Sequence, residues 1–400
     1  MTAEEARLKD RQAGAAPAGD FDTDDLAASE MESGMRINPR RIAIYVVIVL
    51  AIVVALYFVL PKIAGLEDAL AVAEDADPVW IAVALALSVF SFVAYIALLR
   101  GIIGGRAPDK VRERLDVRTS YQITLAGLAA TRLFSAGGAG GIALTYWALR
   151  RAGMGKRETA ARMVAFLVLL YTVYLLALVV CGILLRVGVF PGPSPVGMTI
   201  VPAAIAGAGL LVLLFVSLIP ANFETVIARW AEGHRRVGLA RRLASIPATV
   251  ALGTREALSV LRHPGQGALS LLGAVGFWAS NIAVLWACFH AFGESVPKAV
   301  LVQGFFVGMA ANLLPFFPGG VGSVDAGMIA AFLAFGVDSD TVFPAVLLYR
   351  VIAFWLPIPP GALAYIQLRR TVARWKEEDG EGRAPPSGAP ASGDKVLGTT

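Results

Sequence analysis

Long apolar stretches separated by short polar segments run through most of the chain. A helix that crosses a membrane needs about 20 predominantly apolar residues. Six stretches reach or approach that length, at residues 42–60, 79–99, 163–185, 198–219, 267–289 and 341–368. The pattern therefore predicts an all-α polytopic membrane protein with six full transmembrane helices.

Two further apolar segments, residues 121–149 and 299–336, are interrupted by glycine and proline. The first contains the sequence GGAGGI from Gly137 and the second contains GGVGSV from Gly319. A recurrence after roughly 180 residues suggests a duplicated unit. A segment of about 29 residues is too short for two crossings, and one of about 38 residues is close to that limit. We expect each segment to form a re-entrant helical hairpin that turns at its glycines.

The composition agrees with this interpretation and excludes several classes of protein. Hydrophobic residues make up 57% of the chain, charged residues 16%, and the mean hydropathy is +0.67. No polar stretch is long enough for a soluble catalytic domain, and both cysteines fall inside predicted spans, so neither a disulfide framework nor a metal site is indicated. We expect disordered cytoplasmic tails at residues 1–40 and 373–400, and a retained anchor in the first span.

The distribution of charge predicts the topology. Lys and Arg are concentrated at residues 36–41, 100–118, 150–162, 229–262 and 369–376. The remaining loops are mainly acidic. By the positive-inside rule both termini are cytoplasmic, in a cell (plasma) membrane. The net charge of +5 thus reflects loops beside anionic lipid and not a nucleic-acid partner.

This topology makes the two broken segments face opposite ways. Residues 121–149 have basic loops on both sides, and residues 299–336 have acidic flanks on both sides. The sequence therefore predicts an inverted-topology repeat, with a first unit at residues 41–190 and a second at 196–372. Within the second unit, residues 220–264 form a basic cytoplasmic segment. With Trp230 among its arginines, it is either a helix on the inner membrane surface or a solvated linker.

Three charged residues remain at membrane depth: Arg132, Arg350 and Asp325. A charge there costs about 2.5–3.5 kcal/mol on insertion scales, so such residues indicate function by default. We expect the three to meet near the midplane. Two other roles stay open for Asp325: a structural ion pair with one arginine, or a favourable position at a helix amino end. Either way, one more cation than anion remains, and this favours an anionic ligand.

The glycine turns offer further contacts for an anion. Each precedes a predicted helix whose amino end carries free N–H groups and partial positive charge, which suit phosphate. Tight bending or close helix packing is the other explanation for such glycines. Two polar side chains could add contacts or satisfy local backbone. The candidate contacts are Gly137, Gly138, Gly319, Gly320, Asn312 and Tyr146. No catalytic triad, nucleotide-binding loop or cofactor site is apparent.

The stretch NLLPFFPGGVGSVD, from Asn312 to Asp325, and the sequence LLYR ending at Arg350 resemble a known family. Over residues 40–372 the chain is similar to the flippase-like membrane domain of lysylphosphatidylglycerol synthases and of many stand-alone bacterial and archaeal membrane proteins. That family usually carries Glu at the position of Asp325 and an Arg matching Arg350. Its first motif commonly contains Gly-Glu followed by Arg, from which Gly141-Ile142-Ala143 departs; Arg132 could compensate.

The resemblance implies movement of a lipid, or of a lipid-linked head group, between leaflets. The aminoacyl-transferring domain of the full synthases would need further residues, so we expect no synthase activity. Our leading hypothesis is a flippase or transporter, not an enzyme, for anionic or polyprenyl-phosphate-linked lipids. One alternative is an integral-membrane enzyme that transfers glycosyl or aminoacyl groups to a lipid-linked substrate. Another is a non-catalytic membrane partner that recruits a lipid-modifying enzyme through residues 220–264. The sequence leaves the oligomeric state open.

Overall fold

The computed structural model describes residues 76–104, 107–133, 139–218, 237–313 and 322–381. Within these ranges 86% of the residues are helical and none is in a strand. The helices are α1 (Pro78–Ile103), α2 (Asp109–Arg114), α3 (Val117–Leu133), α4 (Ala139–Arg151), α5 (Lys156–Arg186), α6 (Val196–Leu218), α7 (Val237–Leu261), α8 (Pro264–Ala291), α9 (Lys298–Ala310), α10 (Ser323–Ala334), α11 (Ser339–Arg350) and α12 (Ile358–Glu381). The all-α prediction is confirmed.

Five of the predicted spans are long apolar helices in the described part of the chain. They correspond to α1, α5, α6, α8 and the continuous run of α11 and α12. A π-helical turn, Val351–Trp355, joins the last two helices. The predicted span at residues 42–60 lies outside the described residues, as does the first tail. The structure therefore supports a multi-pass membrane protein.

Helices α1 and α8 pack against each other and run antiparallel. At one end the backbone N–H of Asp77 donates to the carbonyl oxygen of Ala291 at 2.9 Å, and the Asp77 carboxylate caps α1 by accepting from the N–H of Val79. Further along, a Cβ on Gly273 would lie 2.4 Å from the backbone nitrogen of Leu98. Small residues allow this close approach, as is common between membrane helices.

The two interrupted segments form two pairs of short helices, α3 with α4 and α9 with α10. In the first pair Gly127 faces Thr145, and Gly141 faces Thr131. Because the numbers rise on one helix as they fall on the other, the pair is antiparallel. In the second pair a Cβ on Gly308 would lie 2.4 Å from Cγ of Met328, and the helices are again antiparallel. A 3-10 turn, Ala311–Leu313, follows α9.

Helix α5 is joined to α8 and α9 by side chains that bond to backbone. The hydroxyl of Tyr174 donates to the carbonyl oxygen of Phe306 on α9 at 2.6 Å. The indole N–H of Trp278 on α8 donates to the carbonyl oxygen of Leu170 at 2.8 Å. The rings of Tyr174, Trp278 and Phe306 also contact one another. These buried polar tips are satisfied while the rings fill the core.

The last helix is longer than the sequence pattern predicts. The predicted tail at residues 373–400 is helical as far as Glu381. The guanidinium of Arg114, 9% exposed, bonds to the carboxylate of Asp379 at 2.8 Å and lies over the Trp375 ring at 5.5 Å. Lys110 adds an ion pair to Asp379 at 2.7 Å. These contacts with α2 stabilise the last turns of α12. The polar composition of residues 373–381 does not reveal them.

Helix α12 also runs antiparallel to α3 over most of the length of α3. A Cβ on Gly361 would lie 2.6 Å from the carbonyl oxygen of Leu125, and the hydroxyl of Thr371 donates to Oε1 of Gln122 at 3.1 Å. Together with the contacts of Arg114, these form a continuous seam between α12 and the helices α2 and α3. We call it the α3–α12 seam.

Part of the basic segment at residues 220–264 is a packed helix and not a solvated linker. Helix α7 contacts α5, where a Cβ on Gly253 would lie 2.4 Å from Cβ of Val164. Ala251 and Ala257 are buried, and the guanidinium of Arg255 donates to the carbonyl oxygen of Ser217 at 3.2 Å. The small residues of α7 permit this close packing. The sequence analysis considered the basic residues of the segment and not its small ones. Trp230 lies outside the described residues.

Candidate functional site

Arg132 reaches across from α3 to the break between α11 and α12. It lies in the last turn of α3, where a cation is favoured by the helix dipole. Its Nη2 donates to the carbonyl oxygen of Ala353 at 2.8 Å. The bond joins the first interrupted segment to the π turn of the last span.

Pro357 explains why that carbonyl is available. In an α-helix the carbonyl of Ala353 would accept from the N–H of residue 357, but residue 357 is proline and has no N–H. Pro359 and Pro360 withdraw the corresponding donors from the two carbonyls at positions 355 and 356. The backbone instead widens into the π turn, in which the N–H of Leu356 donates to the carbonyl oxygen of Val351 at 2.9 Å.

The ring of Phe354 lies beside both Arg132 and Arg350. Cζ of Arg350 lies 4.3 Å from the ring centroid and Cζ of Arg132 lies 5.6 Å from it. Both distances are within the range of cation–π attraction, which is stronger away from water. Arg132 and Arg350 are therefore neighbours, although they belong to different segments of the sequence.

Asp325 is the acidic member of the group. Its Oδ1 forms an ion pair with Nε of Arg350 at 2.5 Å, and its Oδ2 accepts from the N–H of Gly322 at 2.8 Å. Gly322 has a φ of +82°, a conformation that favours glycine, and it caps α10. Both structural roles considered for Asp325 therefore occur: it pairs with an arginine and it stabilises a helix amino end.

The charges of this group do not cancel within the described ranges. The Arg350 side chain is 8% exposed and that of Asp325 is 30% exposed. Arg132 forms no ion pair with a described residue, and its buried Nη1 has no hydrogen-bond partner among them. A buried donor without a partner is costly, more so when it is charged. Among the described residues, the charge of Arg132 is therefore not compensated.

The other predicted contacts are not brought to this group. Asn312 is exposed in the 3-10 turn, and Tyr146 is half-buried on α4. No described contact joins either side chain to the arginines. Helix α4 begins at Ala139, directly after the first glycine pair, whereas α10 begins at Ser323, three positions beyond the second. All four of these glycines lie outside the described residues: Gly137, Gly138, Gly319 and Gly320.

A cavity of 230 Å³ lies beside α3 and is bounded by α1, α4 and α5. Hydroxyl groups and apolar surface share its wall. Thr131, the neighbour of Arg132 in sequence, lines it together with Thr124, Thr145, Tyr95, Phe166 and Leu170. Thr124 is 2% exposed, and its Oγ1 has no hydrogen-bond partner among the described residues.

Sequence reasoning missed three parts of the site: the Ala353 carbonyl, the Phe354 ring and the cavity. The sequence does contain a signal for the Ala353 carbonyl. Pro357 so soon after a membrane-depth arginine predicts a carbonyl without its helical donor. A second signal concerns the cavity. The spacing of Thr124, Gly127 and Thr131 places these small residues on one face of α3. The Phe354 ring has no such signal, because its role depends on the path of α3.

A comparison with protein families agrees with the resemblance described above. The model of the lysylphosphatidylglycerol synthase TM region matches residues 42–361. The chain belongs to this family. The match covers α1 to α11, the π turn and the start of α12, and so includes both arginines and Asp325.

Curated relatives of this family member match over shorter segments. A UPF0104 membrane protein of Methanothermobacter thermautotrophicus is 31% identical over 93 residues, which are 23% of this chain and 26% of that protein. A second match to a UPF0104 membrane protein of that organism is 30% identical over 87 residues, 22% of this chain and 26% of that protein. A UPF0104 membrane protein of Pyrococcus horikoshii is 25% identical over 93 residues, 23% and 28% of the two chains. The chain thus spans about a quarter of the length of the curated relatives it matches.

Proposed function

We propose that this protein is a lipid flippase or transporter that moves an anionic or phosphate-bearing amphiphile between the leaflets of the plasma membrane. Arg132 and Arg350 attract the head group, and Asp325 competes with it for Arg350. The observation that carries this proposal is the buried Nη1 of Arg132, which lacks a partner among the described residues beside a second arginine. Phosphate and carboxylate oxygens are the acceptors that arginine binds best.

The short helix pairs support a site within the bilayer. At 1.5 Å per residue, α3 is about 25 Å long and α9 about 20 Å long. Both are shorter than the hydrocarbon core of about 30 Å. The proposal makes each pair a re-entrant hairpin, the two entering from opposite leaflets, with both termini of the chain cytoplasmic. The arginines at the inner ends of α3 and α11 then lie within the hydrocarbon core.

Transport in this proposal depends on two groups of helices that move relative to each other. The α3–α12 seam makes α3 and α12 one body, and the glycine contacts make α9 and α10 another. The ion pair between Asp325 and Arg350 lies where these bodies meet. A head group that replaces Asp325 on Arg350 breaks this contact, which allows one body to rock against the other.

A reconstituted transport assay tests the assignment. Full-length protein is placed in liposomes with a fluorescent phosphatidic acid in one leaflet, and transbilayer movement is followed by quenching. Arg132→Gln and Arg350→Gln are each expected to lower the protein-dependent rate at least about tenfold, since a charged hydrogen bond contributes about 1.5–3 kcal/mol. Arg255→Gln is the matched control, because Arg255 also donates to a backbone carbonyl of another helix. Unchanged rates in both site variants would reject the proposal.

We also propose that the protein carries out no group transfer itself. A labelled phosphate-bearing lipid incubated with the purified protein and a glycosyl or aminoacyl donor distinguishes the two activities. Covalent product would favour an enzyme. A lipid-modifying enzyme remains a proposed partner that supplies or consumes the transported lipid.

A further inference from the structure

A second cavity lies where the end of α12 meets α2 and the start of α3. Its volume is 570 Å³, within the range of small-molecule sites. Among the described residues that line it, Trp375 is the one apolar side chain, and all the others are polar or charged. We call this cavity the α2–α12 cleft. Its wall suits a hydrophilic ligand and not a lipid chain.

Ion pairs use two of the carboxylates and two of the cations in the cleft. Asp379 accepts from Lys110 at 2.7 Å and from Arg114 at 2.8 Å, and Glu378 forms an ion pair with Arg114 at 3.3 Å. These four charges compensate one another, so together they neither attract nor repel an anion strongly. A further carboxylate, that of Glu113, is exposed and forms no described hydrogen bond or ion pair.

Two arginines in the cleft have no carboxylate partner among the described residues. Arg118 lies in the first turn of α3 and Arg374 near the end of α12, and both are exposed. Arg118 forms no described hydrogen bond, and Arg374 has only a long one, of 3.4 Å, to the hydroxyl of Thr371. Arginine binds phosphate oxygens through charge-assisted and often paired hydrogen bonds. Two such side chains from different helices can hold one anion between them.

Thr119 adds an uncharged donor next to Arg118. It is 5% exposed and lines the cleft, yet no described hydrogen bond uses its hydroxyl. Its backbone N–H is already bound, because it donates to the Asp116 carboxylate at 2.7 Å. A polar side chain that is so far buried normally has a partner. The Thr119 hydroxyl is therefore available to a ligand in the cleft.

The position of the cleft along α12 distinguishes a soluble ligand from a lipid head group. The apolar stretch of the last span ends at residue 368, and Arg374 and Asp379 follow it. At 1.5 Å per residue they lie about 9 Å and about 16 Å beyond that end. The head-group layer of one leaflet is about 5–8 Å thick. Part of the cleft therefore reaches past the head groups into water, on the side that the proposed topology makes cytoplasmic.

We propose that the α2–α12 cleft binds a small soluble phosphorylated compound, whose phosphate oxygens accept hydrogen bonds from Arg118, Arg374 and Thr119. The bound anion links the start of α3 to the end of α12 and so stabilises the α3–α12 seam. On α3, Arg118 lies about 21 Å from Arg132, so this site is separate from the arginine site. The inference does not depend on lipid transport.

Calorimetric titration of the full-length protein in detergent with inorganic pyrophosphate tests the site. Potassium chloride at the same ionic strength is the reference, because salt by itself screens exposed charges. We expect saturable binding of one pyrophosphate per chain and a higher midpoint of thermal unfolding in its presence. Chloride should produce neither effect. If pyrophosphate gives no saturable binding, the proposal is wrong.

Variants assign the binding to the cleft. Arg118→Gln and Arg374→Gln are each expected to weaken pyrophosphate binding about tenfold, and Thr119→Val about threefold, in line with the loss of a charged and of a neutral hydrogen bond. Thr119→Ser keeps the hydroxyl and should bind normally. Thermal unfolding without ligand shows whether each variant is folded, and the two exposed arginines keep the test decisive if Thr119→Val is not.

Arg369→Gln is the matched control, because Arg369 is also an exposed arginine of α12 but does not line the cleft. Its replacement should leave the affinity for pyrophosphate unchanged. If it weakens binding as much as Arg374→Gln does, pyrophosphate binds to the basic surface in general and not to this cleft.

A second measurement separates a soluble ligand from a lipid head group. Native mass spectrometry counts the phosphatidic acid molecules bound to the unmodified protein, to Arg118→Gln and to Arg374→Gln. Equal numbers support a soluble ligand. One lipid fewer in both variants means that the cleft holds a head group, and this overturns the soluble source. Transport in liposomes is measured separately, so pyrophosphate binding without transport supports the cleft and contradicts the proposed function.

Discussion

Arg132 and Ala353 are 221 positions apart in the sequence and are joined by a hydrogen bond of 2.8 Å. The donor belongs to the first interrupted segment and the acceptor to the last span. Arg132 is held there by a backbone atom, so its position depends on the local shape of the chain at the π turn. Changes in the backbone near Ala353 should therefore alter the site without touching a charged residue.

Pro357→Ala is expected to weaken head-group binding without destabilising the protein. The alanine supplies an N–H that competes with Arg132 for the Ala353 carbonyl, and it removes no hydrogen bond, because proline has no N–H to donate. The midpoint of thermal unfolding should stay the same or rise. The affinity for phosphatidic acid, measured by native mass spectrometry, should fall about two- to tenfold.

Pro344→Ala is the control for this change. Pro344 lies inside α11 of the same span, and it has no described contact with the arginines. Its replacement should leave lipid affinity unchanged. If Pro357→Ala binds lipid as well as the unmodified protein, the Ala353 carbonyl does not position Arg132.

Asp325→Asn is expected to tighten binding of phosphatidic acid and to slow transport. The change removes the negative charge beside Arg350, while the asparagine oxygen can still accept from the N–H of Gly322. An anion then meets less competition, and a gain of up to about tenfold corresponds to 1.4 kcal/mol. Because the bound state becomes more stable, release should limit the rate in the liposome assay.

Asp338→Asn is the control for this change, because it also removes one negative charge but does so at the exposed start of α11. It should change neither the affinity for phosphatidic acid nor the transport rate. Weaker binding in Asp325→Asn would show that the carboxylate supports the ligand and does not compete with it.

Gly308→Ala is expected to destabilise the second helix pair. The new Cβ would lie 2.4 Å from Cγ and 2.6 Å from Cα of Met328, so the helices must separate. Overpacking of this kind typically costs about 1–3 kcal/mol. Thermal unfolding in detergent should occur at a lower temperature. Gly197→Ala is the control, because nothing lies within 4 Å of its Cβ position. If Gly308→Ala unfolds at the same temperature as the unmodified protein, α9 and α10 are not closely packed at this position.

A covalent link across the α3–α12 seam should not slow transport. Lys110 and Asp379 are both exposed and form an ion pair at 2.7 Å, so cysteines at the two positions can be joined by a short thiol-reactive cross-linker. Cys181 and Cys288 are first replaced by alanine. If α3 and α12 move as one body, the cross-linked protein retains its rate in liposomes. A cross-linked protein that stops transporting, while the unlinked variant is active, would place the moving contact at this seam.

The sequence predicted the helices well, because each long apolar stretch must satisfy its backbone within a helix. The five described spans begin and end within a few residues of their apolar stretches, apart from the start of α5 and the end of α12. Helix α12 exceeds its prediction because Asp379 is bound to Arg114, a contact between residues distant in sequence. Hydropathy carries no information about such a contact.

The sequence predicted only part of the site, because the rest depends on contacts between residues that are distant in sequence. Charge at membrane depth identified Arg132, Arg350 and Asp325, because such charges are rare. The Phe354 ring and the Thr124 hydroxyl belong to residue types that are common in membrane helices. Only the packing of α3 against α12, and of α3 against α1 and α4, gives them a role. The inverted repeat and the re-entrant hairpins remain predictions.

The three prolines that follow the π turn have a consequence for how this site could arise. The acceptor that orients Arg132 exists because Pro357 lacks a hydrogen atom on its nitrogen, and no polar side chain had to be added to create it. A single substitution at position 357 could therefore create or remove the backbone acceptor that binds Arg132. Membrane helices in which proline closely follows a basic residue are places to search for ligand sites that contain few polar side chains.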